Sequence, residues 1–243
     1  MRWLRLSPGR RLMADISWAS LSVPRCIITA RLHLPRALAA REACADRPPW
    51  PAIFAKAFGL LARERPVLRQ MHVSLPWPSL VEVNSAAACI LVERQHEGEA
   101  MLTGARIRDP GGESLAAIGA RLAQSKTAAD DRTTRRMLRF ARLPWPLRRL
   151  ALRLAMATAL PLHRYAGSFV ISALGGQGAL ILDTVSLMPV FLSFGPIGGD
   201  GAVDAVISFD HRVMDGAAAA AALRGMEALI ETVLADEMAG GLA

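Results

Sequence analysis

The chain has 243 residues, 52% of them apolar, with 29 basic and 21 acidic residues and a formal charge of +8. That length suits one large domain or two small ones and lets about 70–75% of the unfolded surface be buried; so high an apolar content excludes a disordered chain. Three cysteines without a CxxC spacing (Cys26, Cys44 and Cys89) argue against a disulfide framework and a zinc site, and fit a reduced, cytoplasmic setting. The N-terminus Met1-Arg-Trp-Leu-Arg-Leu-Ser-Pro-Gly9 has no apolar signal region. No uncharged apolar run of about 18 residues follows, so no membrane-spanning helix is expected.

From the N-terminus, a short helix is expected over Arg11–Trp18. Cys26–Leu34 alternates and predicts a strand. Pro35 ends it, and Arg36–Cys44 predicts a helix. Pro48-Pro49 is a break, and Pro51 fits the first turn of a helix with Ile53, Phe54, Ala57, Leu60 and Leu61 on one face. Pro66 stops that helix. The apolar run Ala86–Arg94 predicts a central strand and Ala100–Arg108 another, followed by a turn at Asp109-Pro-Gly-Gly112. Ser114 opens a further helix.

From Arg132 to Arg164 the chain holds nine arginines and no acidic residue, which leaves 20 basic against 21 acidic residues elsewhere. The basic character is therefore one segment and not a field over the whole protein. Arg132, Arg135, Arg136, Arg139 and Arg142 recur at helical spacing. After Pro144-Trp-Pro146, Leu147–Leu160 is apolar with Arg148, Arg149 and Arg153. Both stretches predict a basic amphipathic insertion. No aromatic interleaving or nucleic-acid motif accompanies the charge, so nucleic acid is not an expected partner.

Three strands are expected in the remainder, at Gly167–Ser172, Pro189–Phe194 and Val203–Phe209. An Ala-rich helix follows over Ala217–Val233, with Leu223, Met226, Ile230 and Val233 along one stripe. Strands and helices do not alternate strictly, so the expected class is α+β and not a doubly wound sheet.

Four histidines (His33, His72, His96 and His163) are scattered singly and read as surface or structural. His211 differs. It follows an apolar strand and precedes Gly216 and a long helix, so it sits in a loop of the kind on which rigid scaffolds display reactive groups. Asp210 and Asp215 flank it, and Asp215 stands where a helix N-cap belongs.

The stretch Asp210-His-Arg-Val-Met-Asp-Gly216 resembles the catalytic motif of the dihydrolipoamide acyltransferases, the core subunits of 2-oxoacid dehydrogenase complexes. Its shorter His-x-x-x-Asp-Gly pattern is shared with chloramphenicol acetyltransferase and with peptide-synthetase condensation domains. The latter carry a second His where this chain has Asp210, which favours the acyltransferase branch. Gly167-Ser-Phe-Val-Ile-Ser-Ala-Leu-Gly175 and Asp183–Gly195 are similar to the same family. Arg10–Asp15, Ser22-Val-Pro24 and Ser114–Ile118 match more loosely.

The resemblance implies a chloramphenicol acetyltransferase-like two-layer sandwich, a mixed sheet with helices on one face, as a single catalytic domain over 1–243 with 132–164 inserted. It implies an acyl thioester, on coenzyme A or an acyl carrier protein, as co-substrate, and no metal. His211 is then the general base, Ser172 the hydroxyl that stabilises the oxyanion, and Asp215 a carboxylate that holds an Arg near the site, with Arg10 or Arg11 as that Arg. Gly175, Asp210, Arg212 and Gly216 complete the expected substrate-binding set. The family's site lies between neighbouring subunits of a homotrimer, so His211 and Ser172 are expected to come from different chains.

Departures from the family shape the rest. No lipoyl domain or peripheral-subunit-binding domain is expected ahead of the core. A dihydrolipoamide acyltransferase reading therefore needs lipoyl domains in trans, and a stand-alone enzyme acting on a small-molecule or lipid acceptor is favoured. An idle trimeric scaffold is the non-enzymatic alternative. Ala100–Ile107 lacks the family's proline, and Ala173 replaces an Asn. Three targets are open for the Arg segment: an anionic membrane surface on the cytoplasmic side, an acidic carrier protein, or the phosphates of coenzyme A. A solvated face packed on the sheet is the fourth reading.

Overall fold

The computed structural model describes residues 1–96, 99–127 and 132–240. In chain order its strands are β1 (Arg25–His33), β2 (Gln70–Val73), β3 (Ser79–Glu82), β4 (Ala87–His96), β5 (Glu99–Arg108), β6 (Phe169–Ala173), β7 (Val190–Phe194) and β8 (Ala202–Asp210). Six of them form one sheet in the order β1-β8-β7-β6-β4-β5, and β2 and β3 pair as a separate ribbon. β6 runs parallel to both β4 and β7, and the other neighbours are antiparallel. Strands from opposite ends of the chain thus lie side by side.

The helices are α1 (Pro8–Ser20), α2 (Pro35–Ala43), α3 (Trp50–Glu64), α4 (Leu115–Thr127), α5 (Arg132–Arg142), α6 (Trp145–Thr158), α7 (Leu160–Tyr165), α8 (Gly216–Leu229) and α9 (Ala235–Met238). Period-two alternation sends Leu32, Ile90, Ile107, Ile171, Leu192 and Ile207 to one face, where they join the buried residues of α3, α4 and α8 in a common core. Phe54 stacks on Phe194 at 4.0 Å and Phe58 leans on Phe169 at 4.2 Å, which locks α3 to the middle of the sheet. Each fully buried Phe contributes about 1.5–3 kcal/mol. Gly59 lets α3 meet the turn after β5: a Cβ there would lie 2.4 Å from the Gly111 amide.

The expected strands and helices are present, with ends displaced by a few residues. The ribbon was not expected; strands of four residues are too short to show a period. The C-terminal helix departs from its expected stripe. Leu223, Met226 and Ile230 are fully buried, but Val233 is 39% exposed and Leu234 takes its place. A π-turn over Ile230–Leu234 inserts one residue and moves the buried face on by one.

The second face of the sheet, expected to be free of helices, is partly covered by the ribbon and by the helical insertion, with α7 packed on it. Val170 and Phe191 of the sheet pack there with Met188, Leu162 and Ala166. Met71 and Val73 of β2 pack with Ala159. Ser74 and Leu75 donate their amides to the Ala157 carbonyl at 2.9 and 3.1 Å, which ties the ribbon to α6.

Part of the basic segment is spent inside the molecule. Arg148 is buried against Asp15 of α1. The Arg149 guanidinium lies between Trp18 and Trp145, 4.4 and 4.8 Å from the ring centroids. These contacts need α1 beside α6, which helical spacing in either segment cannot reveal. Arg135, Arg139 and Arg142 of α5 are exposed. No helix among the described residues is long and apolar enough to cross a membrane.

Candidate active site

β8 ends at Asp210, and a tight turn carries the chain into α8. The Val213 and Met214 amides donate to the Asp210 carbonyl at 2.9 and 3.3 Å, and both side chains are buried. That anchoring leaves His211 and Arg212 exposed on the loop. The His211 amide donates to the Pro24 carbonyl at 2.9 Å, which pins the loop to the start of β1. The imidazole tilts against Phe209, with centroids 5.7 Å apart. Its nitrogens take no hydrogen bond among the described residues, so the ring is accessible and uncommitted.

The two flanking carboxylates serve the loop. Asp210 is 4% exposed and accepts from Arg212 Nε and Nη2 at 2.9 and 2.7 Å. It orients Arg212. Asp215 is the N-cap of α8: its Oδ1 accepts from the Ala218 amide at 2.9 Å. Capping fixes where the helix starts, and hence where His211 stands relative to it.

Arg10 and Arg11 lie elsewhere in the chain. They are in the first turns of α1, where Gly9 sits against Met101 of the far edge strand β5, and Arg11 Nε donates to the Leu6 carbonyl at 3.0 Å. Neither is brought to Asp215 within one chain. Gly216 opens α8 against Ile28, and Gly175 follows β6 close to the Gly195 carbonyl.

Ser172 is buried on β6, on the face turned away from the core helices. Its hydroxyl has no hydrogen-bond partner among the described residues, whereas the neighbouring Ser193 donates to the Ile181 carbonyl at 2.5 Å. In register Ser172 faces Ser193, which faces Val206, five residues before His211. Two strand spacings and five residues of rise separate Ser172 from His211 by roughly 19 Å. One chain therefore does not join them.

Arg25 has the largest part in the site that the sequence did not disclose. Its guanidinium donates to the Ser208 hydroxyl at 2.9 Å, to the Ser208 carbonyl at 2.6 Å and to the Met188 carbonyl at 2.9 Å. It holds the strand that delivers His211. Burial pulls its pKa below the ordinary value, against the opposing pulls of Asp210 and Asp183. The Arg25→Ala variant orphans these buried acceptors and is expected to lose about 1–3 kcal/mol in urea denaturation. A loss under about 0.5 kcal/mol would show the clamp to be idle.

No protein-family model matches the sequence, and no curated protein matches it. Solved structures do. A probable dihydrolipoamide acetyltransferase from Listeria monocytogenes superimposes with a TM-score of 0.71 at 16% identity, over 96% of this chain and 95% of that one. A dihydrolipoamide acetyltransferase from Azotobacter vinelandii gives 0.70 at 16% identity, over 97% and 93%. A chloramphenicol acetyltransferase gives 0.53 at 12% identity, over 95% and 98%. This chain has the chloramphenicol acetyltransferase-like fold. Within that acetyltransferase-like fold, the loop after β8 displays His211, and the face opposite the core helices carries Ser172.

Proposed function

We propose that the protein is an acyltransferase that moves an acyl group from a thioester of coenzyme A or a carrier protein to a small-molecule or lipid acceptor. The observation that carries the reading is His211: an exposed, uncommitted imidazole held rigidly by Pro24, Val213, Met214 and the Asp215 cap. An imidazole near neutral pH is suited to take the proton of an attacking thiol, hydroxyl or amine. The attack produces an oxyanion, which the Ser172 hydroxyl of a neighbouring copy receives as hydrogen-bond donor.

The Azotobacter relative in fold supports this assignment by residue type, since a serine, a histidine and an asparagine have been investigated for their role in its catalytic mechanism. The roughly 19 Å between Ser172 and His211 within one chain is the reason for the second copy, in a closed homotrimer. Asp210, Arg212, Asp215 and Gly216 act on the loop, and Gly175 on the segment after Ser172. None of them is assigned a proton transfer.

The second reading is a dihydrolipoamide acyltransferase core served by lipoyl domains in trans. Thiol release from acetyl-coenzyme A, with dihydrolipoamide, an amine and an alcohol offered in turn, separates the two. Turnover with dihydrolipoamide alone favours the second reading. No turnover with any donor thioester ends both.

A further inference from the structure

A cleft of about 270 Å³ lies beside the reactive loop, lined by Met156 and Ala157 of α6, Leu162 of α7, Met71 of β2, and Val23 and Leu187. Three of these six side chains belong to the insertion, so it supplies much of the apolar lining. The polar lining includes His72, Arg153, Asp210 and Arg212. Asp210 and Arg212 neutralise each other as a bidentate pair. His72 is held below the usual imidazole range by burial first and by Arg212 second, so it is neutral at pH 7. Arg153 is left as the cation, stacked over Trp18 with its guanidinium 5.0 Å from the ring centroid.

A lining more apolar than polar, with Arg153 as its one uncompensated cation, suits a hydrocarbon chain better than a multiply charged phosphate. Arg212 also lines the shallow depression that holds His211, so the cleft and that depression share a wall. A water occupies about 30 Å³ and a methylene is of similar size, so the space takes a chain of roughly eight or nine carbons.

We propose that this cleft receives an unbranched hydrocarbon chain of about eight carbons, the tail of the acyl donor or of the acceptor. Its link to chemistry rests on the acyl-transfer reading; binding of the chain does not. The test is calorimetric titration of the His211→Ala protein, in which turnover cannot intrude. Butanoyl, hexanoyl, octanoyl and dodecanoyl coenzyme A form one series, and alkylamines of the same lengths the other. Affinity is expected to rise about two- to fourfold per methylene in one series and to level off near eight carbons. A rise with the thioesters assigns the tail to the donor, and a rise with the amines assigns it to the acceptor.

Ala157→Phe, which fills the cleft, is expected to cut the octanoyl-to-butanoyl preference at least tenfold in the responding series. Met156→Ala is expected to move the plateau to longer chains, an outcome that misfolding cannot imitate. Affinity independent of length in both series overturns the proposal, as does a series that neither variant alters. If the wild type turns over no thioester while chain-dependent binding persists, the cleft stands and the acyl-transfer reading falls. Turnover with flat binding drops the cleft alone.

Discussion

The His211→Ala variant is expected to lose about 10²- to 10⁴-fold in acyl transfer while keeping its fold and native mass. The reason is local. The imidazole is exposed on the loop, and its nitrogens serve no structural hydrogen bond among the described residues. What holds the loop is the His211 backbone amide on Pro24, together with buried Val213 and Met214 and the Asp215 cap. Alanine keeps that amide. Thiol release by variant and wild type, read beside urea denaturation, checks both halves. Equal rates would remove His211 from the mechanism, and a collapse of stability would show that the ring is structural.

The second large effect concerns the insertion. Asp15→Ala is expected to destabilise the protein by about 3–5 kcal/mol, because it leaves the Arg148 cation buried without its partner. The side chains of Arg148 and Asp15 are only 8% and 3% exposed, and Arg149 approaches the same carboxylate at 3.6 Å. Asp204→Ala is the control. Its pair with Arg31 is 49% and 64% exposed, and the expected loss is about 0–1 kcal/mol. Urea denaturation at one protein concentration measures both. A loss below about 1 kcal/mol for Asp15→Ala would mean that α1 does not lock α6 in place. The cleft would then have lost the support of its α6 wall.

How far the sequence could be read follows the distance along the chain over which each feature is built. Strand β8, the loop and α8 are contiguous, so their alternation, the His-x-x-x-Asp-Gly spacing and the N-cap at Asp215 all lie in one short stretch. That end of the site was legible. Arg25 was not, because its partners Ser208 and Met188 lie more than 160 residues further on and become neighbours only when β1 pairs with β8. Cys26 and Ile28 pack against the core, and alternation puts Arg25 on the opposite face. Nothing in the sequence named the strand beneath it.

His72 was read as a scattered histidine. It reaches the cleft through a four-residue strand with no usable period. The basic segment reads as an amphipathic insertion, and its arginines divide between solvent and the interior. Helical spacing identifies which arginines share a face, but the Asp15 carboxylate and the Trp18 ring decide which of them turn inward. The shift from Val233 to Leu234 has a comparable cause, a single extra residue in the π-turn that a 3.6-residue period cannot carry.

Mixing two inactive variants tests the central claim most directly. His211→Ala and Ser172→Ala chains, denatured together in equal amounts and refolded, assemble at random. A site that takes its base from one copy and its oxyanion donor from the next is intact in about a quarter of cases in a closed ring. Thiol release from the mixture is therefore expected to recover to about one quarter of the wild-type rate, although each variant alone is nearly silent. A mixture no faster than the sum of its two parents would contradict a shared site built from His211 and Ser172.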